Sequence, residues 1–298
     1  MTAETFTVYL ADGRRLEVLA TGPADGLPLI LHNGTPVGPV AYTPMADAAA
    51  ELGLRLVICA RPGYGDSTPR PGRRVADVTG DVAAVLDELG APRFVTVGWS
   101  GGGPHALACA ARLPGRCLAA ATMAGVAPFT AEGLDWLAGM GEENVTEFGA
   151  AVAGAEQLTG YLDGEAADLA TITGPEVADG LGDLVSAADK AAATGEFADY
   201  LAASFRAAVR TGTAGWRDDD LAFISDWGFT MADVGAGAPV AIWQGDQDMM
   251  VPWAHGTWLA AHVPGAAAHL LAGEGHLTLG ITSFEAILDD LLASAGLG

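Results

Sequence analysis

The chain has 298 residues, half of them apolar, with 37 acidic against 14 basic side chains and a formal net charge of −23 at pH 7. That length buries one large core, or one core with a smaller lobe. A field of this sign repels phosphate backbones and anionic bilayer surfaces, so nucleic acid and membranes are not expected partners, and a small-molecule substrate is.

The most apolar stretch, Ala106 to Phe129, is broken by Arg112, Pro114 and Arg116 and reads as a helix followed by a buried strand, not as a membrane span. Met1 to Asp12 has no basic start followed by an apolar block, so a secretory leader is not expected. Cys59, Cys109 and Cys117 sit among apolar neighbours without metal or disulfide spacing and read as small core residues. The expected location is cytoplasmic. Acidity concentrates between Glu142 and Asp233, with 18 acidic against 4 basic residues. Such a run normally makes a solvated face, and near a cleft mouth it would also disfavour anionic substrates. No pattern sets an oligomeric state.

Two alternating segments, Thr5 to Leu10 and Arg15 to Ala20, flank Asp12-Gly13 and predict a β-hairpin. Apolar strands then alternate with amphipathic helices. Strand Pro28 to His32 precedes a helix near Tyr42 to Leu52, and strand Leu54 to Ala60 precedes one near Val78 to Leu89. Strand Arg93 to Gly98 leads into a helical stretch from His105 to Leu113, followed by strand Leu118 to Met123. Much later come strand Val240 to Trp243, a helix near Gly256 to Val263, strand Ala267 to Leu271 and a terminal helix, Ser283 to Ser294. Strands continuous in apolar residues and separated by helices predict an α/β fold, a mostly parallel sheet flanked by helices.

The interval from Phe129 to Gly235 breaks this rhythm with helical patterns and no apolar strand run. Phe197, Tyr200, Leu201, Phe205 and Val209 fall on one helix face, expected to pack on the main domain. Gly154, Gly160, Gly164, Gly174-Pro175 and Gly180-Leu181-Gly182 predict short, interrupted helices. The expected division is a core of residues 1–128 and 236–298 with a helical cap inserted at 129–235.

Gly98-Trp99-Ser100-Gly101-Gly102 fits G-x-S-x-G in the strand-turn-helix setting of a nucleophile elbow. Side chains two before and two after the serine would collide with the neighbouring strand and helix, hence Gly98 and Gly102. A serine hydroxyl is a weak nucleophile until a base removes its proton, and the base needs a partner to hold its tautomer. In this fold they follow in the order serine, acid, histidine. Among the late histidines, His262 falls on a helix, His269 inside a strand and His255 in a loop before a helix start, where a surface or capping role is expected. His276 follows a strand within Gly273-Glu274-Gly275-His276, where small neighbours let an imidazole reach the serine. Its acid comes from the loop after the previous strand. Asp248 is the first choice there, with Asp246, directly after Gly245, as its reserve and turn-former. An oxyanion needs two donors: the Gly101 N–H, and one from His32-Asn33-Gly34-Thr35-Pro36, where proline has none and Thr35 is taken over Gly34. His32 reads as structural, bonding loop backbone. Trp99 and Gly34 are expected at the substrate, with Trp136, Phe148 and Phe205 as apolar cap candidates for the acyl pocket.

These residues together resemble the α/β-hydrolase superfamily, specifically its cap-bearing serine hydrolases. The elbow matches, Gly34-Thr35-Pro36 resembles the oxyanion loop, and Arg61-Pro62-Gly63-Tyr64-Gly65-Asp66-Ser67 resembles the loop after the next strand. Gly245 with Asp248 and Pro252 resembles the acid loop, and Gly275-His276 the histidine loop. Asn33 departs from the histidine that many relatives carry before the glycine. Epoxide hydrolases and haloalkane dehalogenases of this fold carry aspartate at the elbow, so Ser100 disfavours both. The resemblance implies cleavage of a small or medium, largely apolar ester, with thioester, lactone or amide as variants and no cofactor or metal. A binder retaining the fold and a cofactor-free perhydrolase or haloperoxidase-like enzyme are the alternatives. A dinucleotide site is excluded, because Gly101-x-Gly103-x-x-Ala106 lies in a late βα unit and no acidic residue follows at ribose distance.

Overall fold

The computed structural model describes residues 3–298, the side chain of Ala178 apart. Strands β1 (Glu4–Tyr9) and β2 (Arg15–Thr21) form the expected antiparallel hairpin. They are followed by β3 (Leu27–His32), α1 (Thr43–Glu51), β4 (Leu54–Cys59), α2 (Val78–Glu88), β5 (Phe94–Trp99), α3 (Gly103–Arg112) and β6 (Cys117–Met123). Seven helices come next: α4 (Glu142–Ala153), α5 (Ala155–Leu169), α6 (Gly174–Gly180), α7 (Ala187–Ala192), α8 (Gly195–Val209), α9 (Ala214–Phe223) and α10 (Met231–Ala236). The chain closes with β7 (Val240–Gly245), α11 (Trp253–His262), β8 (Ala267–Leu271), α12 (Thr278–Thr282) and α13 (Phe284–Ser294).

The eight strands form one sheet in the order β1-β2-β4-β3-β5-β6-β7-β8, antiparallel only where β2 meets β1 and β4. Period-two alternation divides its side chains between two cores. Ile30 and Val57 face α2, α3 and α11, whereas Leu29, Leu31, Leu56 and Ile58 face α1 and α13. Between β4 and β5 the chain reverses its direction of travel across the sheet, with β3 shared as neighbour. Ligands of open α/β sheets bind outside the carboxyl ends of strands at such a reversal. Here His32 at the end of β3 stands opposite Gly98 of β5, so the loop after β3 and the turn after β5 leave the sheet side by side.

Two details differ from the sequence reading. Gly160 and Gly164 lie inside the continuous helix α5, where a Cβ would meet nothing within 4 Å, so glycine there lowers propensity without breaking the helix. Within the expected insertion, α10 packs on α3: Ala238 N–H donates to the Ala110 carbonyl at 3.3 Å, and a Cβ on Gly237 would sit 1.9 Å from that oxygen.

Glycines with and without neighbours make a paired test of this packing. Gly164→Ala is expected to stabilise the protein by about 1 kcal/mol. Gly102→Ala, whose Cβ would lie 1.9 Å from the His32 carbonyl oxygen, is expected to destabilise it by about 1–3 kcal/mol or more. Urea denaturation of the two variants reads both signs.

Candidate active site

Ser100 sits between β5 and a short 3₁₀ turn over Ser100–Gly102 that feeds α3. Its φ is 57°, in the left-handed region where a side chain costs of order 1–3 kcal/mol unless the surroundings hold it. The flanking glycines show how it is held. A Cβ on Gly98 would lie 2.2 Å from the Gly102 carbonyl oxygen, so strand and helix approach closer than any side chain permits. Gly34 presses on the serine from the other side, with its absent Cβ 3.2 Å from Ser100 Cβ and 3.7 Å from Oγ. Thr35 lies against Gly101, its Oγ1 2.7 Å from where a Cβ would stand. Gly34, Thr35, Trp99, Ser100 and Gly101 all line one cavity.

His276 lines the same cavity from the loop after β8. Its Nδ1 lies 2.9 and 3.0 Å from the two carboxylate oxygens of buried Asp248. The Met250 and Val251 N–H groups and the Gln244 side-chain amide also donate to that carboxylate, fixing it in the β7 loop. Nδ1–H therefore points at Asp248, and the tautomer leaves Nε2 as the acceptor. Burial disfavours the imidazolium, but the charge and hydrogen bond of Asp248, with a contribution from Asp189, outweigh it and raise the pKa above 6.5. Trp99 fixes the ring from above: its indole stacks at 6.2 Å, 28° from parallel, and Nε1–H donates to the His276 carbonyl at 3.2 Å.

Asp246 is exposed, accepts the Gly273 N–H at 2.8 Å and the Gln247 amide at 3.0 Å, and ties two loops together away from His276. His255 departs from its expected loop position. Helix α11 starts at Trp253, and the His255 ring is fully buried, accepting the Ala127 N–H and donating to the Trp136 carbonyl. Trp136 packs on that ring and on Phe148 and stays out of the cavity, whereas Phe148 and Phe205 do line it. His32, expected to bond loop backbone, is buried, and its Nε2 meets Cys109 Sγ at 3.6 Å instead. The face of α8 does two things: Phe197 packs on Trp99, while Tyr200, Leu201 and Phe205 reach the cavity.

Two buried carboxylates from the helices between β6 and β7 hold the loops of this site, and sequence reasoning passed over both. Asp189 of α7 accepts the N–H groups of His276, Leu277 and Thr278 at 3.0, 2.8 and 2.9 Å, capping the start of α12 and seating the histidine loop. Gly275 is glycine because a Cβ would fall 2.3 Å from that carboxylate. Asp219 of α9 accepts from Arg61, Arg73, the Tyr64 hydroxyl and Thr35 Oγ1. Arg61 in turn donates to the Asn33 and Gly34 carbonyls at 2.6 and 3.0 Å, gripping the loop beside Ser100.

Burial alone would raise the Asp219 carboxyl, but Arg61, Arg73 and His105 hold it well below the ordinary value. Removing one partner of a buried pair strands the other charges. Asp219→Asn is therefore expected to cost about 3–5 kcal/mol by urea denaturation. Asp226→Asn, whose partner Arg74 is exposed, should cost under about 1 kcal/mol. For a depressed carboxyl the sign is fixed: the stabilisation is present above the unfolded value of about 4 and lost as pH falls through the folded one, so Asp219→Asn converges with wild type in acid.

A family model described as alpha/beta hydrolase fold matches residues 28–280. The chain is 31% identical over 159 residues to a non-heme chloroperoxidase of Streptomyces lividans, covering 53% of this chain and 57% of that protein. It is 31% identical over 150 residues to epoxide hydrolase B of Mycobacterium tuberculosis, covering 48% and 41%. The matches thus span about half the length of these curated relatives. A solved bromoperoxidase from Bacillus anthracis shares the fold, with a TM-score of 0.70 at 19% identity over 97% of this chain and 100% of that one. With the family match spanning all but the two ends of the chain, and the sheet order and strand-turn-helix elbow in place, the protein belongs to the α/β-hydrolase fold family.

Proposed function

We propose that this protein is a serine hydrolase acting on a small or medium, largely apolar carboxylic ester, with thioester, lactone and amide as variants. The observation that carries this reading is His276, held 2.9 Å from buried Asp248 and lining one cavity with the strained Ser100. Ser100 Oγ attacks the ester carbonyl as His276 Nε2 takes its proton. The alkoxide leaves with that proton from His276, and the acyl group stays on Ser100. Water, deprotonated by the same nitrogen, then attacks the acyl-serine, giving the carboxylic acid and free serine. Asp248 holds the imidazolium throughout. The Gly101 and Thr35 amides are the assigned oxyanion donors, with Gly34 as the neighbouring choice for the second. Aromatic and aliphatic residues on the cavity wall, Trp99, Phe148, Leu181 and Phe205 among them, suit an apolar substrate.

The name of the Streptomyces lividans relative supports a second reading on the same serine. Hydrogen peroxide in place of water would take the acyl group from Ser100, giving a peracid and free serine, and the peracid would oxidise halide as it returns to carboxylic acid. The epoxide hydrolase relative lends no comparable support, because Ser100 stands where that chemistry uses an elbow carboxylate.

The tests are kinetic. Purified protein is expected to hydrolyse p-nitrophenyl acetate and butyrate, with Ser100→Ala and His276→Ala each lowering kcat about a thousandfold or more at unchanged Tm. Turnover by Ser100→Ala within tenfold of wild type removes the reading. The imidazole must be neutral to accept a proton, so kcat/KM should rise with pH through a midpoint above 6.5. Asp248→Asn should move that midpoint down, and a profile flat from about pH 5 to about pH 9 contradicts the assigned base. Peracid formation from acetate and hydrogen peroxide, at a rate above ester hydrolysis, selects the second reading.

A further inference from the structure

The part of the cavity wall supplied by α4, α5 and α9 carries a feature that an apolar ester does not require. Asp220 and Glu147 line it, with Glu143 and Glu165 beside them, and none of the described lining residues is lysine or arginine. Asp220 is 1% exposed, and no backbone N–H, hydroxyl, amide or basic side chain reaches either of its oxygens. Its neighbour on α9 differs completely: Asp219 is filled by Arg61, Arg73, Tyr64 and Thr35. Consecutive helical residues point about 100° apart, so α9 sends one carboxylate to the arginines and the next into the cavity. Glu147, half-buried on α4, accepts Trp216 Nε1–H at 2.7 Å on one oxygen and faces Asp220 closely enough to share a proton with it.

Building on the ester reading, we propose that Asp220 and Glu147 form a cation site, accepting a protonated amine or quaternary ammonium that the substrate carries a few bonds from its reacting carbonyl. Two carboxyls buried together avoid the desolvation cost of charge by keeping protons while the cavity is empty, and a cation held between them makes ionisation favourable. The spacing follows from α9 itself, because the residue before Asp220 hydrogen-bonds Thr35 in the loop beside Ser100. Tyr161, Trp216 and Phe223 line the same cavity and offer the aromatic faces that attract cations within about 6 Å.

The groups facing the pair set its protonation. Burial raises both carboxyls. The charge and hydrogen bond of Glu147 and the charge of Asp219 push Asp220 further up against Arg73, whereas Glu147 is held back by its hydrogen bonds with Asp220 and Trp216 and raised further by Glu165. The empty pair therefore retains protons near neutrality, and an arriving ammonium displaces them.

Calorimetric titration of the full chain with n-butylammonium and with n-butanol tests the site without requiring turnover. The ammonium is expected to bind at least about tenfold more tightly, with proton release revealed by repeating the titration in buffers of different ionisation enthalpy. Asp220→Asn, isosteric with the protonated acid, and Glu147→Gln should each reduce the preference below about threefold, with Tm confirming the fold. Alongside, kcat/KM is compared for acetylcholine and its carbon isostere, 3,3-dimethylbutyl acetate, and the ratio should exceed about ten in wild type and fall towards one in Asp220→Asn. Equal binding of amine and alcohol, or a preference that survives both substitutions and so reflects only the net charge of −23, overturns the proposal. Ammonium binding without hydrolysis of either ester supports the cation site and ends the hydrolase reading. Hydrolysis of the neutral ester without ammonium binding does the reverse.

Discussion

The structure depends on one close approach, the register that sets His32 of β3 beside Gly98 of β5. From it follow the glycines. Gly102 must lack a side chain because the His32 carbonyl occupies the space, and Gly98 because the Gly102 carbonyl does. With both sides closed, Ser100 has no route from strand to helix except through a positive φ, and the turn aims its side chain at the cavity. The same register brings Gly34 and Thr35 against Ser100 and Gly101, so nucleophile and oxyanion loop are placed by one pairing of strands. Backbone strain of this sort persists only where packing over-determines it.

The helices between β6 and β7 do more than line that cavity. Asp189 and Asp219 reach from α7 and α9 into the loops below and satisfy donors that the core leaves open. Each is nearly inaccessible to solvent, and each replaces lost hydration with several directed hydrogen bonds, the condition under which buried charge is tolerated. The stretch of chain between β6 and β7 thus orients both the histidine loop and the loop beside the serine. A change of conformation in α7 would be felt at the histidine loop, and one in α9 at the loop beside the serine. This arrangement explains why the acidic segment between Glu142 and Asp233 is not all solvated face: a few of its carboxylates are structural parts of the site, and Asp220 and Glu147 open into it.

Sequence made much of this legible, for physical reasons. The strands of a parallel sheet are buried on both faces and announce themselves as apolar runs, and G-x-S-x-G names a turn whose sterics admit few other residues. His276 stood out because its loop is otherwise small, and the structure brings Asp248, not Asp246, to its Nδ1. Burial and pairing were not legible. Nothing local distinguishes Asp189 and Asp219 from the exposed acids around them, since their partners lie tens to more than a hundred residues away. Gly275 was a signal, read there as room for an imidazole and explained in the structure by a carboxylate. His255 was misplaced because Pro252 permits helix at the next residue, so α11 begins before the apolar periodicity does. Gly160 and Gly164 read as interruptions, yet exposed glycines in a helix that packs on its neighbours cost only propensity.

The claim on which the account turns is that a single hydroxyl, Ser100, is the activated nucleophile. Peptide mapping by mass spectrometry after reaction with a fluorophosphonate tests it most directly. The account predicts one phosphonyl group per chain, carried on Ser100, formed faster as pH rises and His276 loses its proton. Modification of another residue, or unmodified Ser100 in a preparation that continues to hydrolyse esters, would contradict it.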